Sequence, residues 1–152
     1  MKKQYLYLPL LTGILTPSAV IFFLQVLFAK MSPFKSVLDI LRRQFASGHN
    51  LFLLMIWSFI PFGALILLTY VMGRKADSRR LAFIFWGGFI AVFAFALFGH
   101  ISVWYPLYAH KGASSTDVLA YLIIPVLGLF VLPVGSFVGW IVSLLSRVMT
   151  MQ

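Results

Sequence analysis

LAFIFWGGFIAVFAFALFGHISVWY, residues 81–105, holds no Asp, Glu, Lys or Arg. As a helix it runs about 37 Å at ~1.5 Å per residue, enough to cross a hydrocarbon core of ~30 Å. It closes on Trp104 and Tyr105, side chains with an apolar ring and a polar tip that settle at the boundary of lipid and water. The rest of the chain has the same character. Hydrophobic residues make up 62% of the 152 and charged residues 10%, against ~25% charged in ordinary soluble domains. A soluble core of this size cannot hide so much apolar surface. The reading is a single membrane domain over residues 1–152, all-α, with four transmembrane helices and a short amphipathic interfacial helix between the first two.

Three further stretches share the uncharged pattern. Residues 5–29 follow Lys2 and Lys3 and are too long for the ~7–15-residue core of a signal peptide. A first span is the better reading, with a kink expected at Pro17, which has no N–H for the carbonyl of Gly13. Residues 51–72 form the second span, with Pro61 in its middle and Ser58 three positions earlier. The polar stretch that follows is short and makes spans two and three antiparallel neighbours, with Asp77 or Ser78 capping the third. Residues 118–145 form the fourth, opened by Ser114-Ser115-Thr116-Asp117 and ended by Arg147.

Small residues mark where helices approach closely, because lipid tails leave van der Waals packing to hold helices together. Gly87, Ala91 and Ala94 form such a side on span three, and Gly128, Gly135 and Gly139 one on span four. The two are expected to face each other or a partner helix. On span three the aromatic side of Phe85, Phe89 and Phe93, which also carries His100, lies nearly opposite.

Residues 33–47 are different. Phe34, Val37, Leu38, Leu41 and Phe45 recur at one helical face, while Lys35, Asp39, Arg42 and Arg43 occupy the remainder. A helix of this kind lies in the headgroup layer or docks on a partner, with Arg42 and Arg43 available to lipid phosphates. The net charge of +9 is therefore assigned to membrane lipids with anionic headgroups and not to nucleic acid. With four spans, Lys2, Lys3, Arg74, Lys75, Arg79, Arg80 and Arg147 share one side, and the smaller set of Lys30, Lys35, Arg42, Arg43 and Lys111 the other. The positive-inside rule then places the termini in the cytoplasm, in a bacterial inner membrane.

Chemistry is sparsely signalled. Without cysteine there are no disulfides, thiol nucleophiles or Cys-ligated metals. His49, His100 and His110 fall toward one face of the membrane and are the only candidate ligands for a metal or haem. They lack ligand spacing, and the length of span three puts His100 at interface depth, where an imidazole needs no special reason to exist. Scattered interfacial histidines are the plainer reading, and no cofactor is expected. Asp39, Asp77 and Asp117 all lie outside the spans or at a helix end, so no carboxylate stands at membrane depth for proton coupling. The expectation is a non-catalytic protein working through helix–helix contacts. It would be an accessory subunit of a membrane complex or an immunity or exclusion factor, with a membrane-protein partner or self-association. The alternatives are a small oligomeric transporter or channel, resting on the proline-bent spans, and a His-liganded haem or metal protein.

Overall fold

The computed structural model describes residues 3–45, 50–74, 77–109 and 115–149, with side chains placed except at 115–121. Every regular element among them is a helix: α1 (Gln4–Leu27), α2 (Pro33–Arg43), α3 (Leu51–Ser58), α4 (Ile60–Met72), α5 (Ser78–Tyr108) and α6 (Ser115–Met149). Four stretches, Gln4–Leu27, Leu51–Met72, Ser78–Tyr108 and Leu122–Met149, are long and apolar enough to cross a membrane. They give the chain the build of an integral membrane protein.

The second span keeps its expected bounds, Leu51–Met72, with an irregular turn at Phe59 between α3 and α4. Pro61 has no N–H to offer the carbonyl of Trp57, and the N–H of Phe59 reaches back to both Met55 (3.1 Å) and Ile56 (3.2 Å). Helix α5 begins as its sequence implies, with Asp77 accepting from the N–H of Arg80 at 2.7 Å. It runs past Tyr105 to Tyr108, because Pro106 removes a single donor and the N–H of Ala109 still reaches the carbonyl of Tyr105 at 2.8 Å. Helix α6 is longer than expected at both ends, since polar residues 115–117 and Arg147 join its terminal turns.

Helices α5 and α6 form the most extensive pair. A Cβ on Gly87 would strike the carbonyl of Gly135 and lie 3.0 Å from the backbone of Gly139, and one on Gly135 would strike Ala91. Ala94 is instead exposed. Gly128 turns to α4, where an added Cβ would sit 3.1 Å from Pro61. The contact line winds around α5, from Gly87 to Gly99 packed under Ile124, and so leaves Ala94 outside. At one end of the pair Arg147 bridges to Asp77.

The aromatic side of α5 is also buried, against α1 and α4. Tyr5 packs on Phe85 with ring centroids 4.5 Å apart, and Phe62 on Phe89 at 6.3 Å. The core has two clusters. One gathers Tyr5, Phe62, Leu65, Leu81, Phe85, Phe89, Val92, Ala96 and Leu132. The other gathers Val20, Ile21, Leu24, Ile40, Leu51, Trp104 and Tyr108. Between them in sequence, three helices carry a buried polar residue: Thr16 on α1, Ser58 closing α3, and His100 on α5.

Candidate functional site

His100 is 1% exposed. Its Nε2 shares a hydrogen bond with Ser58 Oγ at 3.3 Å. The sequence reading sets this imidazole on the side away from the helix contacts; it is packed among the helices instead. Ser58 ends an eight-residue helix, about 12 Å from its start, so the imidazole opposite it sits well inside the bundle. Two facts invisible in a helical wheel cause the difference. Helix α5 continues beyond the expected boundary, and its aromatic side is itself a helix contact.

His49 and His110 lie outside the described residues, as do Lys2, Lys75 and Lys111. Among the described residues no three of His, Asp and Glu stand together in a group that would hold a metal ion. Asp39 and Asp77 are engaged with arginines, Arg43 and Arg147.

The second polar centre anchors α2. Gln25, on the last turns of α1, is 1% exposed. Its Nε2 donates to Asp39 Oδ2 at 2.6 Å and to Tyr108 Oη at 3.3 Å, and its Oε1 accepts from Ser36 Oγ at 2.5 Å. Asp39 also receives Arg43 Nε at 2.8 Å. One amide thus ties α1, α2 and α5 together, with both its N–H donors and its carbonyl oxygen engaged. The turn that brings α2 back onto α1 passes through Lys30, at φ 52°. The N–H of Met31 bonds to the carbonyl of Gln25 at 3.0 Å, and Ser32 caps α2.

The consequence is that α2 turns its polar residues toward the bundle. Ser36, Asp39, Ile40 and Arg43 stand at i, i+3, i+4 and i+7 and face the bundle. The apolar face points away: Phe34 is 78% exposed, Leu41 61% and Phe45 75%, with Val37 and Leu38 between them. Lys35 and Arg42 flank it, both exposed. Arg43, grouped by its sequence with the lipid-facing bases, belongs to the buried side because Asp39 one turn earlier holds it there.

Gln25, Ser36 and Tyr108 are functional candidates that the sequence reading passed over. The signal was present for one of them: Gln25 is the only Asn or Gln inside the four expected spans, and a buried amide needs a partner. No family model matches the chain, and no curated protein or solved structure matches it either.

Proposed function

We propose that this chain is a non-catalytic inner-membrane protein that works by contact. The outward face of α2 is its docking surface for a second membrane protein, as in an accessory subunit or an immunity or exclusion factor. The observation that carries this reading is the fixed rotation of α2. A helix that only floats in the headgroup layer is oriented by lipid alone. Here Gln25, Ser36, Asp39 and Arg43 hold the helix about its own axis, so that five apolar side chains are presented outward in one fixed array. Lys35 and Arg42 at its edges suit anionic headgroups or an acidic rim on the partner.

The test is a photo-crosslinking side chain placed at Leu41 and, separately, at Phe130, which is 70% exposed on α6. Irradiated in native membranes, the Leu41 probe is expected to give a discrete protein adduct and the Phe130 probe lipid adducts only. Adding Leu41-flanking change Arg42→Gln should weaken the adduct, and Val37→Asp should abolish it, because a charge on that face must be desolvated to dock. Lipid adducts alone from both probes would end the contact reading. Transport, which draws on the buried Ser58–His100 pair as a polar element inside the bundle, would then replace it.

The same proposal places both termini in the cytoplasm. Lys3, Arg74, Arg79, Arg80 and Arg147 lie at one end of the bundle, with Lys30, Lys35, Arg42 and Arg43 at the other, and the larger set of bases stays inside. Reporter tags after Met1, between Arg74 and Asp77, and after Gln152 are expected to read the same, cytoplasmic side. A periplasmic signal from all three would reverse the orientation, and a split signal would refute the four-span topology.

A further inference from the structure

The outer surface between α1 and α5 carries a groove of about 430 Å³. Phe23, Leu27 and Phe28 form one wall, Leu97, Ile101 and Tyr105 the other, and no charged side chain lines it. It follows α1 from Val20 to Phe28, a rise of about 12 Å. At its end the ring of Phe28 meets that of Tyr105 edge-on at 4.9 Å. Lys30 comes two residues later, exposed at the turn, and Lys35 is exposed on the first turn of α2. The acid nearest in sequence, Asp39, is engaged by Gln25 and Arg43, and among the described residues neither lysine takes part in an ion pair.

We propose that this groove holds one acyl chain of an anionic phospholipid, with Lys30 and Lys35 at its phosphate. The walls are apolar throughout the length that faces hydrocarbon, and the charge begins where the apolar lining stops, which is the order of parts in a phospholipid. A further protein helix, ~10–12 Å across with its side chains, would rest on the rims of a slot between two packed helices and leave it unfilled. A single hydrocarbon chain fills it. The groove itself shares no residue with the outward face of α2, and only Lys35 stands at the edge of both.

Native mass spectrometry of the purified full chain, with dioleoyl phosphatidylglycerol or dioleoyl phosphatidylcholine added at low salt, tests it. The wild type is expected to retain one phosphatidylglycerol in preference to phosphatidylcholine, by about fivefold for each lysine engaged. Ile101 is half-exposed on the rim, so Ile101→Trp should fill the groove from outside and remove the adduct of both lipids. Lys30→Gln with Lys35→Gln, at surface positions that leave the fold alone, should keep an adduct and lose the preference. No retained phospholipid on the wild type, or equal retention by a helical Ile101→Trp protein, overturns the groove. Equal retention of the two lipids by the wild type, or an unchanged preference in the double lysine variant, overturns the headgroup assignment.

Discussion

Gly139→Ala is expected to unseat α6 from α5. A single Cβ there would run into the carbonyl oxygen of Phe83, with the Cα of Ile84 at 3.2 Å. These are backbone atoms of a long helix and cannot rotate aside. The two helices must separate, and the loss spreads along a contact that has packing as its chief source of attraction. Overpacking typically costs ~1–3 kcal/mol, and a clash with backbone belongs at the top of that range. Gly139→Leu should go further and leave little monodisperse protein in detergent. Gly128→Ala is the control. Its Cβ would meet Pro61 side-chain atoms at 3.1 Å, where a few tenths of an ångström relieve the contact. The measurement is the midpoint of thermal unfolding, followed by size-exclusion chromatography. If Gly139→Ala melts with the parent while Gly128→Ala does not, α5 and α6 are not packed through these glycines.

The second large effect is expected at Gln25. Gln25→Leu keeps the volume of the side chain but strips Ser36 of its acceptor and Asp39 and Tyr108 of their donor. A buried polar group left unpaired costs ~1–3 kcal/mol, and more where it is charged. Ser36 and Tyr108 lose a buried partner while Asp39 keeps Arg43, and α2 is held to the bundle by little else, Ile40 being its one large apolar side chain in the core. Release of α2 is therefore cheaper than burial of the unpaired groups. The chain has no cysteine, so Ile40→Cys supplies a unique thiol at a buried position. That thiol should resist maleimide in the otherwise native protein and react in the Gln25→Leu background. Equal protection in both would show that apolar packing alone seats the helix.

The division between what the sequence made legible and what it did not has a physical logic. Long uncharged stretches are read from composition, and the described helices lie where those stretches lie, with boundaries moved by a few residues at Tyr108, Ser115 and Met149. Glycine and alanine at helical spacing mark close approach, and Gly87, Ala91, Gly135 and Gly139 do meet. Ala94 and Gly128 diverge from them because a crossing angle, which a helical wheel does not contain, carries the contact off the stripe. The rotation of α2 was hidden for a different reason. Periodicity shows that a helix has two faces but not which face a neighbour will claim. In a chain dissolved in lipid the apolar face has no need of the protein interior, whereas a polar face does, and Gln25 on the preceding helix supplies the group that Ser36 and Asp39 match. His100 belongs to the same class: its environment depends on Ser58 arriving from another helix at a break.

The two-cluster core has a consequence for the order in which the protein is made. Among the described residues, the cluster of Val20, Ile21, Leu24, Ile40, Leu51, Trp104 and Tyr108 draws on α1, α2, α3 and α5, and the hydrogen-bonded set around Gln25 on α1, α2 and α5. The other cluster needs Leu132, and Asp77 waits for Arg147. A chain emerging from its N-terminus therefore holds every described member of that cluster, and the groups that seat α2, by the time Tyr108 has been synthesised. Helix α6 then arrives at a surface already built, and its glycines are the fitting by which the last segment of the chain is received.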